Sequence, residues 1–335
     1  MNVQCAFLRA PWQVKLDDVE LPDTPPVGQC LIRVRACGVC GTDLSAMEQG
    51  DQWRPFGHEV AGEVEAVGHG VAGLEVGQRV VLESASFCGR CEWCRNGRVD
   101  LCNRAPNFWG GSTMGFSTHM LAPACCVVPY DGLAPEQACQ AEPAGVAIDM
   151  VRTADIALGE TVAVVGLGPI GLAAAALAMR RGASRVLCVG RSANRARLAV
   201  AKSLGTETLA WDRPLDEASD LAKQFDHVLL SAPVDVISPA LSLLRYGGRL
   251  TYIGIGTGGG TVSFDANDFH FRKLQLRSSF ASPALYFPMA LDLMRTGAIP
   301  STALISHTRP LAEIGEAIAL CRRDKGSVVK MVITA

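Results

Sequence analysis

The chain has 335 residues, with 31 Lys and Arg balanced against 33 Asp and Glu for a formal net charge of −2. That balance offers no basic surface to nucleic acid, and the length admits two domains with a sizeable core. Thirteen cysteines, four of them clustered, point to metal ligands in a reducing compartment, not to the disulfide framework of a small secreted domain.

The N-terminal stretch MNVQCAFLRAPWQVKLDD lacks a basic segment followed by a long apolar one, so no signal peptide is expected. In the first third, short alternating runs at 31–35 and 59–67 are punctuated by glycine and proline. This pattern predicts short strands joined by turns, an all-β unit. Within it lie ACGVCGTD (36–43) and FGHE (56–59). Cys40 is a soft ligand and His58 a borderline one, separated by a loop. Further on, QAEPAGVA places Glu142 at the entry to the second half. A sulfur, nitrogen and oxygen trio that leaves a fourth position open describes a catalytic zinc better than a structural one. Asp43 follows Cys40 by three residues and is placed to orient His58 through its other ring nitrogen. Each member also has an ordinary alternative: a buried thiol, a satisfied core imidazole, a surface carboxylate. Aromatics at Trp53, Phe56, Phe108 and Trp109 are candidates for the wall of a pocket or for plain packing.

CGRCEWCRNGRVDLC carries Cys88, Cys91, Cys94 and Cys102. A charged, glycine-containing loop is a poor burial place for four thiols. Short Cys-x2-Cys steps let one turn of backbone supply neighbouring corners of a tetrahedron, so the cluster predicts a closed, structural zinc site.

From Glu142 to about residue 277 the pattern changes. Apolar strands at 161–165, 186–189, 227–230 and 249–253 alternate with helical stretches, which predicts a parallel sheet with helices on both faces. TVAVVGLGPIGLAAAALAMRRG contains Gly166-x-Gly168-x-x-Gly171 between a β-branched strand and an alanine-rich helix. That is the context a dinucleotide-binding turn requires. Gly166 permits the tight turn, Gly168 lets the backbone approach a pyrophosphate, and Gly171 lets the helix pack on the sheet. Pro169 and Ile170 open the helix whose N-terminus faces the anion. The apolar run at about 169–179 belongs to this motif and is too short to span a bilayer.

The second strand of such a unit should end on the residue that reads the adenosine ribose. No carboxylate lies between positions 185 and 205. Gly190 makes room there, Arg191 offers a fork of charged donors, Ser192 a hydroxyl and Arg195 a second cation. The expectation is a preference for NADP(H) over NAD(H). Beyond this unit come a short glycine run at 258–260, helical patterns at 285–296 and 311–322, and a closing strand at 327–333, expected to return to the first domain.

CGVCGTD, GHEVAGEVEAVG, VGQRV, the four-cysteine loop, EPAGVA and GLGPIGL occur in one order. In this the chain resembles the zinc-dependent medium-chain dehydrogenase/reductase superfamily over essentially its whole length. The resemblance implies an α/β protein with a GroES-like β-rich catalytic domain (1–148 and 283–335) and a doubly wound Rossmann domain (149–282). The active site would lie in the cleft between them. It implies two zinc ions per chain, the catalytic one on Cys40 and His58, with Glu142 completing the site directly or through water and Glu59 able to bind or exchange. Glu142 stands where alcohol dehydrogenases of the older pattern carry Cys, which places the chain nearer the polyol, threonine and cyclitol enzymes. The resemblance also implies a proton relay beginning at Thr42. Many relatives carry CGTDLH; here the string is CGTDLS, with Ser45 in the relay position, and serine is no base near neutral pH.

The expected function is hydride transfer between NADP(H) and a small polar secondary alcohol or ketone, in a cytoplasmic homodimer or homotetramer with no membrane partner. The competing reading is a cofactor-binding redox sensor or structural protein on the same fold, because fold alone does not fix function.

Overall fold

The computed structural model describes residues 1–254 and 260–335; Gly258 and Gly259 of the glycine run lie outside the described residues. Strands β1 (Asn2–Arg9) and β2 (Gln13–Glu20) form an antiparallel hairpin. Next come β3 (Gln29–Gly38), a short β4 (Arg54–Pro55) that pairs with β1, β5 (Glu59–Val67), β6 (Arg79–Leu82), β7 (His119–Pro123) and β8 (Val127–Pro129). One face of β3 holds Cys30, Ile32 and Val34 against Val60, Val80 and Met120, while Leu31 on the other face is buried with Val3 and Leu21. This period of two fixes the register with β5, so that Gly38 stands opposite Glu59.

The second sheet is parallel throughout. β9 (Thr161–Val165), β10 (Arg185–Gly190), β11 (Glu207–Ala210), β12 (Phe225–Leu230), β13 (Leu244–Tyr252) and β14 (Gln275–Ser278) are arranged β11-β10-β9-β12-β13-β14. The order reverses between β9 and β12, and a doubly wound sheet binds its ligand at the carboxyl ends beside such a switch point. Strands β9 and β12 are buried almost throughout because both faces are covered.

The expected alternation with helices holds for the first two crossovers and, with a short helix at Ala266–Phe271, for the last, between β13 and β14. A helix at Pro169–Arg180 joins β9 to β10, and one at Arg195–Ser203 joins β10 to β11. Between β12 and β13 the chain makes only single turns, including Ile237–Ala240. Pro233 and Pro239 fall in that segment and break any longer helix. Part of the cover there comes from the helix Ala141–Ala154, which packs on β12, β13 and β14 as well as on the Pro169–Arg180 helix.

The last part of the chain carries a helix at Phe287–Arg295, β15 (Ile305–Pro310), a helix at Ile314–Arg323 and β16 (Lys330–Thr334). β16 pairs antiparallel with β3, so the sheet order reads β15-β16-β3-β5-β6-β8, with β7 also on β3. The final strand is shorter than the sequence pattern indicates. Asp324 accepts the backbone N–H groups of Gly326 and Ser327 at 3.2 Å each, which turns the chain before the strand begins.

At the amino ends of the parallel strands, His227 is buried and its Nε2 lies 2.6 Å from a Glu160 oxygen. Burial holds the imidazole below its ordinary value of 6.5, despite the raising effect of Glu160. The unfolded chain therefore takes up a proton that the folded chain resists, and stability falls as pH drops below 6.5. We expect urea unfolding midpoints to decline from pH 7 to pH 5 and His227→Gln to flatten that decline; an unchanged slope in the variant would contradict it.

Candidate functional site

The loop after β6 brings four sulfurs together. Cys91 precedes a short helix, Glu92–Arg95, that contains Cys94, and a 3-10 turn, Val99–Leu101, delivers Cys102. Gly89 (φ +69°) and Gly97 (φ +74°) take left-handed conformations at the two bends. The Sγ atoms of Cys91 and Cys94 are 3.5 Å apart, those of Cys91 and Cys102 3.8 Å, and those of Cys88 and Cys94 4.0 Å. A tetrahedron with metal–sulfur bonds of about 2.3 Å has edges of about 3.8 Å, so the four sulfurs fit one zinc ion. Backbone N–H groups point at the sulfurs as well: Cys88 N–H to Cys102 and Cys91 N–H to Cys88, each 3.3 Å. Backbone hydrogen bonding, from Arg90 first, lowers the Cys88 thiol to about 6, whereas desolvation and its thiol neighbours push Cys94 up to about 12. Four thiolates this close repel one another unless a cation sits among them.

The second constellation is built where β3 meets β5. Cys40 caps the helix Gly41–Ala46, and its backbone N–H donates to Asp43 Oδ2 at 3.0 Å. The other Asp43 oxygen faces His58 Nδ1 at 3.6 Å. One buried carboxylate thus orders both the Cys40 turn and the His58 ring. His58 Nδ1 is buried and lacks a closer hydrogen-bond partner, while the Cys40 thiol lies within hydrogen-bond reach of the imidazole. Burial pulls the imidazole towards neutrality, but Asp43 and Cys40 together outweigh it and hold His58 well above its usual value. Glu142 sits in the first turn of the Ala141–Ala154 helix. Desolvation raises its carboxyl to about 7, against the lowering influence of nearby His58. Thr42 is exposed in the turn after Cys40.

Among the described residues, the four cysteines at 88–102 are the one group of three or more His, Cys, Asp or Glu whose ligand atoms all lie within 4.8 Å of one another. Cys40, His58 and Glu142 are not drawn that close, although the charge of His58 acts on the Glu142 carboxyl. Glu59 is engaged elsewhere: both of its oxygens accept from Lys330 Nζ at 2.7 Å, and the pair is almost wholly buried. Lys330 also donates to the Val39 carbonyl at 3.0 Å. A Cβ at Gly38 would lie 2.0 Å from Glu59 Oε2, so glycine is needed there to admit the carboxylate. The sequence pattern carried no signal for Lys330, which lies 271 positions from its partner. A half-exposed thiol and an imidazole steadied by a carboxylate, with a further carboxyl near by, suit a zinc ion with an open coordination position.

Of the aromatic candidates, Trp109 reaches this site. Its half-exposed ring lies 5.0 Å from the His58 ring, tilted by 42°. Phe56 packs against Phe116 at 4.6 Å, Phe108 is buried in the same core, and Trp53 lies beneath Arg9 and Lys15. Burial in the apolar core took the two phenylalanines, and surface cations took Trp53.

At the carboxyl end of β9, Gly166 has φ +94°, and a Cβ there would strike the 231–232 backbone. A Cβ at Gly171 would sit 1.9 Å from the Gly166 carbonyl oxygen. Gly168 is different, with nothing within 4 Å of its Cβ position. It caps the Pro169–Arg180 helix and leaves open space over the free N–H groups of Ile170 and Gly171, the shape a pyrophosphate needs. Ser231, which sequence reasoning missed, holds the turn by donating to the Gly166 carbonyl at 2.8 Å. Gly190 is glycine for a different reason from the one expected. Its Cβ position is 2.8 Å from Leu167, so it admits the neighbouring loop and not a ligand. Arg191, Ser192 and Arg195 are exposed just beyond it.

Residues 26–132 match the alcohol dehydrogenase GroES-like domain, and residues 169–296 match the zinc-binding dehydrogenase domain. L-galactonate-5-dehydrogenase of Escherichia coli K12 is 30% identical over 94% of each chain. A zinc-binding dehydrogenase of Sinorhizobium meliloti 1021 solved with NADP superposes with a TM-score of 0.87 at 28% identity, over 100% of each chain. An alcohol dehydrogenase (rspB) of Escherichia coli CFT073 solved with NADH also gives 0.87, at 26% identity over 100% of this chain and 99% of that one.

Removing one sulfur tests the four-cysteine loop. We expect Cys94→Ser to lower bound zinc by one equivalent, depress Tm and expose the 88–102 loop to protease; unchanged zinc content would contradict the assignment.

Proposed function

This chain belongs to the zinc-dependent medium-chain dehydrogenase/reductase superfamily, and from that premise we propose that it interconverts a small polar secondary alcohol and its ketone with NADP(H). It is an oxidoreductase of the polyol and sugar-alcohol dehydrogenase type, acting on a CH–OH group. The observation that carries the reading is the double use of Asp43, which ties the Cys40 turn and the His58 ring into one preformed pair of ligands. A redox sensor without turnover has no use for such a pair, and the relatives matched over nearly the whole chain are named as dehydrogenases.

Cys40 and His58 would hold the catalytic zinc, with Glu142 as third ligand directly or through a water. When bound, zinc supplies Lewis-acid polarisation of the substrate oxygen and the nicotinamide supplies the hydride acceptor or donor. Asp43 keeps the imidazole in its ligating orientation. In the oxidative direction the Thr42 hydroxyl would accept the substrate's hydroxyl proton as it passes its own on towards Ser45 and water, and the carbinol hydrogen would leave as hydride for a bound nicotinamide. Trp109 walls the space beside His58 and limits how large a substituent the carbinol carbon can carry. Glu59 stays with Lys330 and is available for exchange only if that pair opens.

Preference for NADP(H) rests on Arg191, Ser192 and Arg195 at the end of β10 and on the absence of an acid from β10 to position 205. The NADP-bound and NADH-bound relatives stand on either side of that question. The domain division we favour is 1–148 with 283–335, and 149–282; the pairing of β16 with β3 supports it. A second copy would join along the outer edge of β14, where the parallel sheet ends. No helix among the described residues is long and apolar enough to cross a membrane, and two thiol-based metal sites suit the reducing cytoplasm.

The test is a screen of polyols, sugar acids, cyclitols, amino alcohols and their ketones with both cofactors, followed by nicotinamide absorbance. We expect turnover of at least one such substrate, with kcat/KM about tenfold or more higher for the phosphorylated cofactor. Cys40→Ala should lower activity by about a thousandfold or more while leaving cofactor binding intact. No turnover in the zinc-loaded protein, or activity surviving in Cys40→Ala, would overturn the reading.

A further inference from the structure

We propose that Asp212 is a specificity-determining residue: its carboxylate occupies the anion position formed by Arg191 and the Ser192 N–H, and so competes with the 2′-phosphate of the cofactor. This rests on the cofactor reading above and names the residue that limits it.

Gly190, the last residue of β10, pairs with Ala210, the last of β11. The pairing is extended by the Trp211 N–H, which donates to the Gly190 carbonyl at 2.8 Å. Two residues past each strand end, Ser192 and Asp212 therefore stand side by side, and the Ser192 N–H donates to Asp212 Oδ1 at 3.0 Å. Trp211 is fixed by its own contacts. Its Nε1 donates to the Pro214 carbonyl at 3.2 Å, and the Arg213 guanidinium lies over the ring at 4.6 Å. Asp212 is thus placed by a rigid neighbour, yet its own side chain is exposed and free to rotate away.

A carboxylate and a phosphate ask for the same partners, namely a charged fork and a free backbone N–H. Asp212 already uses the N–H, and it interacts electrostatically with Arg191. Arg195, the second cation, has Asp324 of the C-terminal loop as its own counter-charge. That loop is docked against the same segment, with the Ala196 N–H donating to the Gly326 carbonyl at 3.0 Å. Both candidate phosphate-binding cations thus have an acid at hand before any cofactor arrives. A 2′-phosphate must displace Asp212 from Ser192 and stand near its charge. A 2′-hydroxyl has no such conflict, because it can donate to the carboxylate. The absence of an acid on β10 is therefore partly made good from the neighbouring strand.

The test separates the phosphate from the rest of the cofactor by titrating 2′,5′-ADP and 5′-AMP calorimetrically into the zinc-loaded protein. Asp212→Asn should tighten 2′,5′-ADP by about fivefold, the scale of one exposed charge interaction, and leave 5′-AMP within about twofold or weaker. The gain should shrink as salt is raised. Equal shifts for both ligands, or no tightening of 2′,5′-ADP, would overturn the proposal. Arg191→Ala distinguishes this failure from failure of the cofactor reading. If wild-type protein binds 5′-AMP as tightly as 2′,5′-ADP and Arg191→Ala changes neither, there is no 2′-phosphate site at all, and both readings fall. If Arg191→Ala weakens 2′,5′-ADP alone and Asp212→Asn has no effect, only the role of Asp212 falls.

Discussion

A single buried ion pair holds the catalytic end of the first sheet together. Lys330, the first residue of the last strand, reaches Glu59, the first residue of β5, with both oxygens at 2.7 Å and almost no exposure of either side chain. Removing two charges from water is costly, and a pair this deep contributes little net stability compared with apolar residues of the same size. Its contribution is to arrangement. The chain's last strand cannot slip along β3 without leaving a naked carboxylate beside His58. Gly38 has to be glycine for the pair to form, and the Val39 carbonyl is fixed by the same ammonium just before Cys40. Glu59, Lys330, Gly38 and Val39 thus form a frame, and the Cys40 turn and His58 are mounted on it.

Two kinds of metal site follow from two kinds of surroundings. In the 88–102 loop the sulfurs lie at the spacing of a closed tetrahedron, and nothing is left for a substrate. Around Cys40 and His58 the candidate ligands are fewer and more widely spread, and the Asp43 carboxylate stands behind the imidazole and orients it. The first site holds a loop. Beside the second stands the half-exposed Trp109 ring, 5.0 Å from His58. The glycine turn lies at the carboxyl end of β9, where the strand order reverses beside β12.

The features legible in the sequence were those with short-range spacing. The cysteine loop, the glycine turn with its strand and helix, and β5 follow from local steric and ligand rules, and these strands and the helix lie within a residue or two of their expected limits, whereas β3 runs three residues beyond its pattern. Features that depend on distant partners were not legible. No local pattern tells a lysine at 330 to seek a glutamate at 59, or an aspartate at 212 to bond a serine N–H at 192. Gly190 shows the limit from the other side. A Cβ there would lie 2.8 Å from Leu167, a contact that the fold makes and the local pattern does not announce. Between β12 and β13 the helical segment is cut to single turns beside Pro233 and Pro239, a limit that is local in the sequence.

The central claim is that one chain holds two zinc ions of different character. Zinc-edge X-ray absorption on the metal-loaded protein tests it most directly. If four sulfurs hold the loop ion and one, from Cys40, the other, five sulfur bonds of about 2.3 Å should be shared between two zinc ions, with nitrogen and oxygen neighbours at shorter distance. A single zinc ion with sulfur neighbours alone would contradict the account.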